Sequence, residues 1–212
     1  MERIKIESDK IMLATKFIYE SNLIENINIS IEQIWKEWTK NPRIGHVAAL
    51  SLATTEGVKR SKTTESMFCE WQKLIIQEQN SLTIDVKNII SEHEIGQYRG
   101  PGKMFVGNKL CIVPAQTVPA CMKQLVEEIN YFQRNTNQSE EKIIKKIADF
   151  HFDLLLIHPF VDGNGRTARI FTWYLFQFFG LKPFIFTNTD KHETYYKAFD
   201  GMRDYFISKS RG

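Results

Sequence analysis

The most apolar stretch of the chain, ARIFTWYLFQFFGLKPFIF at residues 168–186, constrains the fold most. A run this apolar is enclosed either by lipid or by protein. Lipid does not suit it, because Gln177, Gly180, Lys182 and Pro183 interrupt the run and an arginine stands at its start. The stretch therefore reads as a buried central helix ending at Gly180, with Pro183 shortly after as a stop signal. A central helix needs a shell around it, and 212 residues with 42% hydrophobic content can supply one. One compact, mostly helical domain with an N-terminal extension is expected, soluble and cytoplasmic. The opening MERIKIESDK has no apolar stretch of the kind a signal peptide carries.

Charge and cysteine content narrow the function classes. Lys plus Arg is 28 and Asp plus Glu is 25, a net +3. With the basic residues scattered, this does not mark a nucleic-acid binder. Cys69, Cys111 and Cys121 form no CxxC pair and are odd in number, so neither a disulfide framework nor a zinc site is indicated.

Helical spacing organises most of the remainder. A first helix is expected from about Ser8 to Glu25, with Asn26 as its left-handed C-terminal residue, and Ser30 with Gln33 forms a capping box for the next. Helical periodicity follows in GHVAALSLATT and, more regularly, in TTESMFCEWQKLIIQEQ. The stretch GQYRGPGKMFVGNKLCIVP breaks the pattern; its glycines, prolines and alternating apolar residues predict a β-hairpin at about 97–113 turning near Gly107 and Asn108. Two more helical segments, VPACMKQLVEEINYFQ and SEEKIIKKIADFHFDLLLIHPF, lead to the central helix.

Between the last two helices lies HPFVDGNGRTAR, residues 158–169. A Gly-Asn-Gly stretch opening a helix turns several main-chain N–H groups toward one point, where the helix dipole adds positive charge. Arg166 and Arg169 are three apart and share a helix face, a pairing that suits a polyphosphate better than one phosphate. Asp162 precedes the cradle as a hard oxygen ligand for a magnesium ion bridging such phosphates. His158 is the group that can take a proton near neutral pH, and Phe160 is expected to plug into the core and fix it. Together these describe transfer of a phosphate-containing group to a nucleophile that must lose a proton.

The stretch from His158 to Arg169 resembles the signature HxFx(D/E)GNGRxxR of the Fic family at every defined position. The likeness extends back through the hairpin, which resembles that family's target-docking flap, and forward through TYYKAF. The resemblance implies an all-α Fic helical bundle with a short β-hairpin flap, divided into an N-terminal helical region at 1–89, a core at 90–206 and a tail at 207–212. It implies transfer of AMP from ATP to a Ser, Thr or Tyr hydroxyl of a target protein. By that likeness His158 is the general base and Asp162 holds Mg2+. Gly163, Asn164 and Gly165 form the anion hole, and Arg166 and Arg169 hold the β and γ phosphates. Tyr195 and Tyr196 resemble the family's tyrosine pair near the adenine; Met202 and Arg203 stand where a ribose-contacting Asn often occurs.

A second stretch, SNLIEN at 21–26, puts Glu25 in the last turn of its helix, where the dipole disfavours a carboxylate and the i−4 neighbour is Ser21 rather than a cation. That break with local preference points to a partner elsewhere. Ser21, Glu25 and Asn26 resemble the (S/T)xxxE(G/N) inhibitory motif of some Fic proteins, in which the glutamate pairs with the second motif arginine, here Arg169. Three functions follow as expectations: a self-inhibited protein adenylyltransferase, favoured by the intact second glycine of GNGR; an enzyme removing AMP, with Glu25 positioning water; or a nucleotide-responsive binding module, which has no need of His158. A target protein docked along the flap is the expected partner, with self-modification and homo-oligomerisation compatible with the sequence, and no nucleic acid or membrane.

Overall fold

The computed structural model describes residues 2–40, 43–82, 89–102, 105–106, 109–110, 113–135, 137–189, 191 and 196–198. Its helices are α1 (Glu2–Ile24), α2 (Ile31–Lys40), α3 (Gly45–Val58), α4 (Glu65–Leu82), α5 (Val118–Arg134), α6 (Glu140–Ile157) and α7 (Asn164–Phe179). Two short strands, β1 (Phe105–Val106) and β2 (Lys109–Leu110), pair antiparallel with Phe105 opposite Leu110. Among the described residues, the regular structure is helical apart from this pair. The hairpin expected over 97–113 is represented by these four residues, and its turn at Gly107 and Asn108 lies outside the described residues. No helix among the described residues is long and apolar enough to cross a membrane.

The central helix is α7. Thirteen of its sixteen residues are buried, including Phe171, Tyr174 and Leu175. It is packed by α1, α3, α4 and α6. It stops where expected: Gly180 takes φ +70°, its N–H reaches the Gln177 carbonyl at 3.1 Å, and the Leu181 N–H reaches the Phe176 carbonyl at 2.8 Å. These are the two bonds of a Schellman ending, which a glycine in the left-handed region makes without a Cβ clash. Gly57 of α3 permits a close approach to α7, since a Cβ there would stand 2.6 Å from the Gln177 Cβ and 2.7 Å from the Tyr174 carbonyl oxygen.

The shell follows the periodicity of the sequence. In α5 the residues Val118, Met122, Leu125, Ile129 and Phe132 are buried at alternating spacings of four and three. In α6, Ile143, Ile147, Phe150 and Leu154 are buried in the same way, while Glu140 and Glu141 occupy the first turn, where the dipole favours carboxylates. The helix α1 starts at Glu2, earlier than Ser8, in keeping with the good helix propensity of Glu2, Arg3 and Lys5. Its end is as expected. Asn26 takes φ +59°, with Asn26 N–H on the Leu23 carbonyl at 3.0 Å and Ile27 N–H on the Asn22 carbonyl at 2.9 Å. The capping box before α2 is reciprocal: Ser30 N–H donates to Gln33 Oε1 at 2.8 Å and Gln33 N–H to Ser30 Oγ at 3.2 Å.

Candidate active site

The loop from His158 to Gly163 joins the C-terminus of α6 to the N-terminus of α7, so a helix end of each polarity faces it. His158 caps α6 with φ +50° and ψ +61°, its N–H on the Leu154 carbonyl at 3.0 Å. Phe160 is fully buried, as expected, with its ring 5.8 Å from that of Tyr98. The Asn164 side chain clamps the loop: Oδ1 accepts the Phe160 N–H at 2.9 Å and Nδ2 donates to the Phe160 carbonyl at 2.8 Å. With both ends of its amide used, Asn164 shapes the cradle and presents only its main chain to a ligand. Gly163 takes φ +80° against α4, where a Cβ would stand 3.2 Å from Ile76 Cδ1. Its conformation opens α7, whose first N–H groups at Asn164, Gly165 and Arg166 have no intrahelical acceptor.

Burial holds the His158 imidazole at a pKa of about 4. The Leu155 carbonyl, Asp162 and Glu25 push it up, and Arg99 pushes it down. The ring is therefore neutral at physiological pH, the form that accepts a proton.

Asp162 is held open-handed. Its Oδ2 accepts from Gln79 Nε2 at 2.8 Å and its Oδ1 from the Gly163 N–H at 2.5 Å, while its side chain stays 43% exposed. No group of three or more His, Cys, Asp or Glu that could enclose a metal occurs among the described residues. A hard divalent cation here would have one protein carboxylate and draw its other ligands from phosphate and water, the pattern magnesium favours. Arg166 is buried 3.7 Å from Asp162 and donates to Gln79 Oε1, and its Nε has no partner among the described residues. A buried guanidinium donor without an acceptor beside a helix N-terminus suits an incoming anion.

Arg169 points the other way, into the end of α1. Its Nε donates to Ser21 Oγ at 2.8 Å, and its Nη2 donates to the Ser21 carbonyl at 3.0 Å and to Glu25 Oε1 at 2.7 Å. The structure thus brings Arg169 together with Ser21 and Glu25, which lie more than 140 positions before it in sequence. The Glu25 carboxylate also covers Gly165, so that a methyl group on that glycine would collide with it. The end of α1 is braced further: Asn22 Oδ1 contacts His46 Nδ1 at 2.9 Å, and the Asn188 N–H donates to Glu20 Oε2 at 2.8 Å. Tyr196 is half-buried near this pair; burial raises its pKa, Glu25 adds to that and Arg169 opposes it. Tyr195, Met202 and Arg203 lie outside the described residues.

Three residues at the site were not singled out from the sequence. Gln72 and Gln79 lie seven apart on α4, on the side that holds Ile76 against Gly163. Gln72 donates to the Asp162 carbonyl at 3.2 Å and accepts the Gly96 N–H at 2.6 Å. Their signal was a glutamine at helical spacing among buried apolar residues, a placement that demands a polar partner. The third, Arg99, had no local signal; its side chain donates to the carbonyls of His158 and Val113.

A family model described as the Fic/DOC family matches residues 62–176. Protein adenylyltransferase Fic of Nematostella vectensis is 32% identical over 134 residues, covering 57% of this chain and 29% of that protein. A probable protein adenylyltransferase of Aquifex aeolicus is 26% identical over 176 residues, covering 80% and 49%. The chain thus spans about half or less of these curated relatives. Among solved structures, a Fic-domain-containing signaling protein from Bacteroides thetaiotaomicron has a TM-score of 0.72 at 21% identity, covering 94% of this chain and 74% of that one. A fragment of Fic-1 from Caenorhabditis elegans has a TM-score of 0.63 at 19% identity, covering 89% and 55%.

Proposed function

Since this chain belongs to the Fic/DOC family, we propose that it transfers AMP from ATP to a Ser, Thr or Tyr hydroxyl of a target protein, and that Glu25 restrains this reaction at rest. The observation that carries the reading is a neutral, partly buried His158 at the end of α6, beside the N-terminus of α7, with Arg166 and Arg169 in that helix's first two turns. The names of the relatives, several of them protein adenylyltransferases, support the same class of chemistry.

In the proposed reaction the hydroxyl oxygen attacks the α phosphorus and gives its proton to the His158 imidazole. The bond from the α phosphorus to the oxygen bridging to the β phosphate breaks, and that oxygen leaves with pyrophosphate. Main-chain N–H groups at the start of α7 face the phosphate oxygens, and Arg166 neutralises charge on the leaving side. Asp162 is the residue that would hold Mg2+, which when bound offsets phosphate charge. An extended target segment adds to the edge of the β1–β2 pair, where main-chain bonds align a hydroxyl with little demand on sequence.

The restraint acts on Arg169. A guanidinium whose Nε and Nη2 are engaged by Ser21 and Glu25 has few donors left for a γ phosphate, and the carboxylate over Gly165 repels an anion entering the cradle. Glu25 nevertheless keeps about a third of its side-chain surface in solvent. That exposure also suits a second reading, in which the same carboxylate positions water to remove AMP from a modified protein.

The test separates chemistry from restraint. The Glu25→Gly chain, incubated with Mg2+ and ATP and followed by intact mass, should gain AMP-sized additions on itself or on an added target mixture. Additions of phosphate size would instead make it a kinase, and loss of AMP from a pre-modified protein with no addition would favour the second reading.

A further inference from the structure

Arg99 belongs to neither motif, yet it grips the catalytic loop. It is 5% exposed. Its Nε donates to the His158 carbonyl at 2.7 Å, and its Nη2 donates to the Val113 carbonyl at 2.5 Å and the Ile157 carbonyl at 3.4 Å. Its own N–H reaches the Pro159 carbonyl at 2.8 Å. The carbonyls of Ile157 and His158 end α6, where acceptors lack intrahelical partners and the dipole is negative, so a cation there is well placed. Capping alone, however, does not require the second grip on Val113, which follows the segment carrying β1 and β2.

His158 is what this arrangement serves. A residue with a Cβ is disfavoured at φ +50°, and that conformation sets where the imidazole points. The planar guanidinium, with several donors in a fixed fork, can hold two separate chain segments at one distance, which a lysine cannot do.

We propose that Arg99 is a positioning residue for the base: by holding the carbonyls of His158 and Val113 together, it fixes the direction of the imidazole and ties it to the segment that meets the target. The catalytic consequence rests on the adenylyl-transfer reading, whereas the effect on His158 itself does not. Among the described residues, three charged groups act on the ring: Arg99 from the 89–102 segment, Asp162 from the loop and Glu25 from α1. Arg99 opposes its protonation and the two carboxylates favour it.

The test compares Arg99→Met and Arg99→Lys in the Glu25→Gly chain, with folding checked by circular dichroism and thermal melting. In a folded Arg99→Met chain, ATP affinity should stay within about threefold of the parent while kcat falls on the order of 10²-fold, the scale of a misplaced reacting group. Arg99→Lys should recover part of that loss. The His158 ring, titrated by NMR, should gain its proton at higher pH in Arg99→Met than in the parent. A folded Arg99→Met chain with kcat unchanged, or with an unmoved His158 titration, overturns the proposal. If only Arg99→Lys folds, its kcat alone decides in the same way, because lysine keeps the charge that acts on the ring; if neither folds, the residue is structural and the proposal falls. Should the parent transfer no AMP, the functional reading fails separately, and the ring titration still decides the role of Arg99.

Discussion

The loop at 158–163 and the end of α1 face each other across Arg169, and they are held by different means. The loop is fixed from within the core: both amide atoms of Asn164 are spent on Phe160, Phe160 is fully buried, and Gln72, Gln79 and Arg99 grip the loop from elements on either side. The end of α1 meets the site through Ser21 and one carboxylate, Glu25, that is a third exposed. A charge pair of that kind lies between the nearly neutral surface pair and the strongly coupled buried one. The difference teaches that the loop is fixed by buried bonds, whereas the carboxylate over Gly165 is held by one part-exposed ion pair and, on the proposed reading, can leave without unfolding the loop.

Substitutions should therefore fall into two groups. Removing the base, His158→Ala, is expected to lower AMP transfer by the Glu25→Gly chain about 10²–10⁴-fold, read as the initial rate of label incorporation. The effect should be lost activity with ATP binding intact; lost binding would instead make the histidine a phosphate contact. Asn164→Ala removes two buried hydrogen bonds and is expected to cost about 2–3 kcal/mol, visible as a lower denaturation midpoint, together with a loss of transfer. Equal stability would show that the loop is not held by that clamp.

On the other side, Ser21→Ala is expected to raise transfer by less than Glu25→Gly does, because Glu25 still covers Gly165. It should also cost about 1–2 kcal/mol through the buried guanidinium donor left without its hydroxyl. A Ser21 variant more active than Glu25→Gly would move the restraint from the carboxylate to the hydroxyl. The smallest effect concerns pH. Because burial holds the His158 imidazole at about 4, it is in its base form throughout the neutral range. The kcat/KM of the Glu25→Gly chain should then show no acid limb from His158 above about pH 6, and should fall as pH drops through the folded pKa. A limb near the ordinary histidine value would mean that the ring is more exposed than its position indicates.

What the sequence made legible was local. The chemistry of 158–169 sits in one uninterrupted stretch, and the helix ends at Asn26 and Gly180 depend on a residue that tolerates positive φ, so each could be read from a few neighbours. The capping box of Ser30 and Gln33 is local in the same sense. Glu25 was legible as a carboxylate at the wrong end of a helix, and its partner came only from the family resemblance. Gln72, Gln79 and Arg99 escaped notice because their partners lie roughly sixty to ninety residues away, and nothing beside them in the chain announces those partners. Gln79 is the instructive case: an amide offers both a donor and an acceptor, and here it joins Asp162 to Arg166.

The most direct measurement of the central relation, a finished cradle closed by Glu25, follows protein labelling by ATP radioactive at the α phosphate. Wild type, Glu25→Gly, and Glu25→Gly with His158→Ala are run side by side with Mg2+. The expected result is label on protein at least about tenfold faster for Glu25→Gly than for wild type, a change equivalent to one broken ion pair of intermediate burial, and none for the double variant. Equal rates for wild type and Glu25→Gly, with both above the double variant, would contradict the restraint and leave the Glu25–Arg169 pair a structural contact.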